Sequence, residues 1–221
     1  MRDITCAFAR LAVAAGLLLA NAPAYAQYDT YIRSIAFEMP GNEYVLLRWP
    51  ENKMPLRVYL TAPPAGLFED PDSIHEAVRK GILGWTDVAK RGVPSFKFVD
   101  SIGDADIPIV WAKEPDGNWY IAHCAYDIQP FVRRFGVSRI LVTGRWQDRV
   151  ADSDTIYRVV LHEMGHALGL GGHSEEPEDI MFGSINGLAR GLSERDRDTL
   201  KELYSRPIGS RITAAKRGRP N

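Results

Sequence analysis

Cysteine is nearly absent from this sequence: Cys6 and Cys124 are the only two in 221 residues. That excludes a small scaffold stapled by disulfides. Neither sign of charge dominates, with 27 Lys+Arg against 28 Asp+Glu, so a polybasic nucleic-acid module is excluded and no nucleic-acid partner is expected. No apolar run reaches the roughly 18 residues of a membrane span. The longest, residues 11–20, would rise about 15 Å as a helix against a hydrocarbon core of about 30 Å. Internal repeats and low-complexity tracts are missing as well. What is there, 45% hydrophobic and 25% charged, is ordinary globular composition. The length suits one domain, or at most two small ones, with a sizeable core.

The first 26 residues read as a processing segment. Arg2 and Arg10 precede the apolar run, and Ala24-Tyr25-Ala26 places small residues just ahead of Gln27. That order is a signal peptide cleaved after Ala26, which implies a secreted or periplasmic protein with no stable membrane insertion. Cys6 leaves with it, so Cys124 has no internal disulfide partner and is read as a small packed residue. Residues 27–204 are the expected folded body. Residues 205–221 hold five basic residues and no acidic one, and read as a basic flexible tail. A monomer is expected.

Within the body, Leu56–Leu60 alternates in character and reads as a strand. Residues 72–91 read as a helix: Ser73 and Glu76 make a capping box, and Ile74, Val78, Ile82, Trp85 and Ala89 share one stripe. Gly92 and Pro94 would end it. Phe96–Val99 and Ile107–Trp111 read as strands, with residues 119–125 and 139–142 as candidates for two more. Helices begin near Asp154 and near Ser193, the second with a capping box to Asp196. Strands first, helices around them and no regular βαβ alternation indicate an α+β fold.

The residues that carry chemistry concentrate near position 165. Three of the five histidines, His162, His166 and His173, fall within twelve residues. Positions four apart on a helix lie one above the other, so His162 and His166 can present ring nitrogens to one metal ion at about 2.0–2.1 Å. Glu163 then projects beside the metal, where a carboxylate can take a proton from a water that the metal holds. Gly169 stands where a left-handed turn would end the helix, sending the chain beneath it so that His173 can close on the same ion. Glu175, Glu176, Glu178 and Asp179 read as solvated-loop or calcium-facing residues, which makes Ca2+ a second candidate cofactor. His75 reads as a surface or packing histidine.

The string HEMGHALGL at 162–170, followed by a third histidine, resembles the metzincin zinc peptidases, and within them the matrixins (matrix metalloproteinase-type catalytic domains). A methionine turn beneath the zinc is a further hallmark of that family, and Met181, in Asp179-Ile180-Met181-Phe182, follows His173 by eight residues. The helix bearing Trp85, residues 105–109 and residues 192–204 are similar to matrixin segments in the same order, so the resemblance covers roughly residues 45–204. It implies a metzincin-type domain: a twisted mixed sheet of about five strands packed with about three helices, and a zinc site in a cleft. It also implies one catalytic Zn2+ on His162, His166 and His173, an apolar floor at Met181, and a peptide substrate lying antiparallel to an edge strand near Ile121 and Ala122.

This chain departs from the family pattern in three places. Gly172 occupies the usual position of the third histidine, so His173 requires a one-residue bulge in Leu170-Gly171-Gly172, absorbed by the freedom of glycine dihedrals. Gly183-Ser184-Ile185 stands where proline and tyrosine usually wall the S1′ pocket. His123 matches the first ligand of a structural-zinc site whose other ligands are not apparent, so a second zinc is not expected. A cysteine-switch motif is not visible either.

The reading is a secreted zinc-dependent endopeptidase that hydrolyses peptide bonds of a protein or peptide substrate, with Glu163 as general base. A gluzincin-like peptidase with a downstream Glu ligand is one alternative. A non-catalytic zinc-bound module for peptides or an envelope partner is another, against which Glu163 weighs, because a structural site needs no base beside its metal.

Overall fold

The computed structural model describes residues 30–112, 120–129, 134–146, 149–184 and 187–213. The expected signal peptide, Trp119, Ile185 and residues 214–221 lie outside the described residues. The architecture is α+β. A five-stranded sheet is built from β3 (Leu56–Leu60), β4 (Phe96–Val99), β5 (Ile107–Trp111), β6 (Ala122–Gln129) and β7 (Arg134–Val142). Two short strands, β1 (Phe37–Met39) and β2 (Glu43–Leu46), precede it. The order across the large sheet is β4-β3-β5-β7-β6. All neighbours in it are parallel except β6, which lies antiparallel to β7 and forms one edge. Three helices pack with it: α1 (Pro71–Leu83), α2 (Ser153–Leu168) and α3 (Glu194–Ser205). Between β7 and α2, β8 (Arg145–Trp146) pairs with β9 (Arg149–Val150).

Helix α1 is shorter than its apolar stripe. Asp70, not Ser73, is the cap, its carboxylate accepting the Ser73 amide at 3.0 Å, and Pro71 fills the first helical position. The helix stops at Leu83 instead of continuing to residue 91. Gly81 lies in its last turn, where glycine is about 1 kcal/mol poorer than alanine, and Gly84 is its C-cap; both are needed for close approach to α2. A Cβ on Gly81 would lie 2.9 Å from Val160, and one on Gly84 would lie 2.6 Å from Leu161. Trp85 still points inward beyond the helix end and donates from Nε1 to the Leu161 carbonyl at 2.8 Å. The stripe therefore marks burial accurately and helix length poorly. Similarly, the edge pair β6 and β7 is longer and starts elsewhere than the short candidate strands suggested.

The core lies between sheet and helices, where Val58, Ile107, Ile109 and Ile140 meet Val78, Ile82, Ile156 and Leu161, all buried. Burying each such side chain contributes about 1.5–3 kcal/mol before entropy is counted. Residues 30–49 join this core: Tyr31, Ile35, Phe37, Leu47 and Trp49 are buried, and the Trp49 indole donates to the Ala167 carbonyl at 2.8 Å. The described residues after α3 fold back too. Residues 205–213, expected in a flexible tail, include β10 (Ser210–Arg211), which pairs with β2. Arg206 pairs with Glu202 and Arg211 with Glu43. A partner strand and two acidic partners were not legible in a basic composition. Among the described residues, no helix is long and apolar enough to cross a membrane.

Candidate metal centre

Helix α2 is started by Asp152, which accepts the Thr155 amide at 2.7 Å, and ends on Gly169 at φ 118°. That left-handed conformation favours glycine, and a Cβ there would overlap the Leu47 carbonyl as well. The turn carries the chain under the helix. His162, His166 and His173 thereby converge, with ring centroids 4.7, 5.3 and 5.0 Å apart pairwise. One nitrogen from each lies within 4.8 Å of the others, the one such group among the described residues. No downstream glutamate is part of it.

The bulge expected before His173 has a different cause from backbone freedom. Neither Gly171 nor Gly172 takes a positive φ. Both are glycine because residues 34–37 lie against them. A Cβ on Gly171 would meet the Phe37 ring at 2.7 Å and the Ile35 carbonyl at 2.8 Å, and one on Gly172 would overlap the Ser34 carbonyl oxygen. The Gly171 amide donates to the Ile35 carbonyl at 3.0 Å, so the loop that aims His173 is clamped to the segment before β1.

The donor set fits a zinc ion. Nδ1 of His162 lies 2.7 Å from the Ile180 carbonyl, and Nδ1 of His166 lies 2.5 Å from the Leu170 carbonyl. A carbonyl can only accept, so both Nδ1 atoms carry the proton and both Nε2 lone pairs are left for a cation. Burial lowers the His162 pKa to about 4 and that of His166 well below its ordinary value, keeping both rings neutral. Three converging imidazoles, two of them held neutral, are a zinc donor set of the catalytic kind.

Beneath them lies Met181, fully buried. Gly165 sits between the two α2 histidines, and a Cβ on it would overlap the Met181 sulfur. The methionine turn is tied to α3 by Asp196, whose carboxylate accepts the Ile180 amide at 2.8 Å, the Met181 amide at 3.3 Å and the Tyr31 hydroxyl at 2.6 Å. It also completes the expected capping box with Ser193. Burial raises the Asp196 pKa, while these donors pull against it. Asp179 is neither solvated nor calcium-facing, because it is buried and takes bonds from Ser174, Ser193 and Arg195. Glu175, Glu176 and Glu178 are exposed.

Glu163 is buried at the head of a cleft of about 360 Å³. Burial raises its pKa to about 7, and the Cys124 backbone amide bonds to it and lowers it. Ile121 and Ala122 line the same cleft. Their backbones face opposite ways. The Ile121 carbonyl accepts the Thr143 amide at 2.8 Å, so Ile121 is turned inward, and strand alternation turns the N–H and C=O of Ala122 and Cys124 to the outer edge. Of the expected pair, Ala122 is thus the one with backbone groups facing the edge. Cys124 is a buried free thiol, as expected of a packed residue. His123 is exposed, its ring 5.5 Å from Tyr120.

The matrixin family model matches residues 48–205. The chain belongs to the matrixin family. It carries a zinc metalloendopeptidase domain of that family. It is 29% identical over 149 residues to matrix metalloproteinase-2 of Drosophila melanogaster, covering 61% of this chain and 19% of that protein. Against metalloendoproteinase 5-MMP of Arabidopsis thaliana it is 29% identical over 171 residues, 71% of this chain and 45% of the relative. Against matrilysin of Felis catus it is 29% identical over 151 residues, 63% of this chain and 54% of the relative. The chain thus spans between about a fifth and a half of these relatives. Sequence reasoning did not find the bracing of this matrixin site by Tyr31, Ser34 and Ile35, which lie ahead of the matched residues. It saw Asp196 as a cap but not as the anchor of the methionine turn.

Proposed function

We propose that this matrixin is an exported zinc-dependent endopeptidase in which His162, His166 and His173 hold the ion and Glu163 is the general base. The observation that carries this reading is the meeting of three imidazoles, two of them neutral with Nδ1 protonated, and one buried carboxylate at the head of an open cleft. Zinc, when bound, polarises the scissile carbonyl and acidifies a water molecule. Glu163 accepts the proton of the attacking water and passes it to the leaving amine. The Cys124 amide steers that carboxylate. The outward N–H and C=O of Ala122 pair with the backbone of an extended protein or peptide substrate, a mode that gives affinity with little sequence choice. Ile121 contributes to the cleft wall, and Met181 keeps the floor under the rings apolar.

Export follows from residues 1–26 as a cleaved signal peptide, which leaves a secreted or periplasmic protein beginning near Gln27. The test is zinc content together with cleavage of a mixed peptide library. One zinc per chain and cleavage abolished by a chelator and restored by zinc are expected. Folded protein that stays metal-free under saturating zinc overturns the proposal.

A further inference from the structure

We infer that Trp85 is a positioning residue of the metal centre, holding the turn of α2 that carries His162, Glu163 and His166. The inference rests on the peptidase reading above, because it concerns the ligands and the base named there. Trp85 is fully buried, two residues beyond the end of α1. Its indole Nε1 donates to the carbonyl of Leu161 at 2.8 Å, the residue immediately before His162. Its ring lies against Gly165, the residue immediately before His166, where an added Cβ would stand 2.9 Å from Trp85 Cζ2. One side chain thus touches the helix just ahead of both ligands, with Glu163 between the two holds.

Three aromatic donors reach carbonyls of α2. The Trp49 indole bonds to the Ala167 carbonyl at 2.8 Å, and the Tyr204 hydroxyl to the Leu168 carbonyl at 3.2 Å. Those two carbonyls are among the last four of the helix, which have no intrahelical partner, so both bonds are caps. Leu161 is different. It lies mid-helix, where the ladder already supplies the Gly165 amide, and its carbonyl takes the indole on a second lone pair. The bond therefore satisfies nothing that the helix lacks. What it adds is direction, since a hydrogen bond weakens steeply off line, and it fixes how α2 slides and turns over Trp85. Met181 presses on Gly165 as well, and a Cβ there would overlap its sulfur, so that turn is seated on both side chains at once.

Zinc tolerates ligand distances within about ±0.2 Å. Imidazole nitrogens stand well outside the Cα cylinder, whose radius is about 2.3 Å, so a rotation of the turn is magnified at the metal. Glu163 moves with it. Losing the indole bond should disturb the ligand geometry more than it disturbs the fold.

The test is Trp85→Phe in the full-length protein, which keeps an aromatic ring and removes the N–H. The expected result is zinc affinity lower by about 10–100-fold, an altered visible absorption spectrum of the cobalt-substituted protein, and lower kcat at nearly unchanged KM on a quenched-fluorescence peptide. Ile107→Val, buried in β5, is the control for lost packing: it should lower the urea midpoint and leave zinc affinity and the cobalt spectrum unchanged. The unaltered protein supplies a second measurement that does not depend on the variant folding. As zinc is titrated into the metal-stripped chain, the indole proton–nitrogen NMR resonance of Trp85 should shift until the site is full. That of Trp111, bonded to the Thr61 carbonyl at 3.2 Å, should not move. Wild-type zinc affinity and cobalt spectrum in Trp85→Phe, or a Trp85 resonance indifferent to zinc, overturns the inference and leaves the peptidase reading intact. Unaltered protein that binds no zinc overturns both.

Discussion

Gly172→Ala adds one methyl group next to the third histidine, and the structure sets its cost. An ideal Cβ at this position overlaps the Ser34 carbonyl oxygen and lies 3.0 Å from the Ser34 carbonyl carbon. Ordinary carbon–oxygen contacts lie near 3.3–3.6 Å, and both obstructing atoms are backbone, so no rotamer change relieves the clash. The loop must move away from residues 34–35. That movement also stretches the Gly171 amide bond to the Ile35 carbonyl, now 3.0 Å. Overpacking costs about 1–3 kcal/mol and a lost hydrogen bond about 0.5–1.5 kcal/mol, so a loss of about 2–4 kcal/mol is expected.

His173 moves with the loop, and zinc affinity should fall about 10–100-fold, the usual effect of disturbing the support of a ligand. Urea unfolding with a chelator present measures the first effect, and a competitive zinc titration the second. Gly103→Ala is the control: its nearest neighbour would be Ser101 Oγ at an ordinary 3.6 Å, and it should change stability by less than about 0.5 kcal/mol. If Gly172→Ala matches Gly103→Ala in both assays, the clamp between residues 34–37 and the histidine loop is wrong.

Glu163→Gln should retain zinc and lose about 10²–10⁴ of the cleavage rate, and wild-type turnover by a zinc-loaded variant would remove the general-base role. Asp196→Asn puts amide hydrogens among the Tyr31, Ile180 and Met181 donors, and should cost about 3–5 kcal/mol, as breaking a buried charged network does. Unchanged urea unfolding would refute it. Burial pushes the Asp106 pKa up, but bonds from Arg57 and Lys53 outweigh it and hold the carboxylate below its ordinary range. A folded-state pKa below the unfolded one means that this stabilisation is complete above about pH 4–5 and disappears as pH falls through the folded value. Asp106→Asn should therefore flatten the acid limb of the stability profile, and an unaltered limb would contradict the assignment.

The legible parts of this protein were those whose signal is local. A 3.6-residue period placed His162, Glu163 and His166 on one helix, a capping box marked the start of α3, and alternation marked β3. The illegible parts depend on residues far apart in the chain. Gly81 and Gly84 shortened α1 because α2 presses on them, and periodicity along one segment carries no trace of its neighbour. Arg206 and Arg211 read as tail charges until Glu202, Glu43 and strand β2 came into reach.

The sequence by itself determined the chemistry: which side chains can hold a metal, which can move a proton, and that two of the ligands lie one helical turn apart. Tertiary structure alone decided how the third ligand is aimed. Gly171 and Gly172 are small because Ser34, Ile35 and Phe37 occupy the space beside them, and the imidazoles take their tautomers from the carbonyls of Ile180 and Leu170. Such contacts follow from the packed arrangement of the whole chain, since close packing couples residues by distance in space and not by position in sequence.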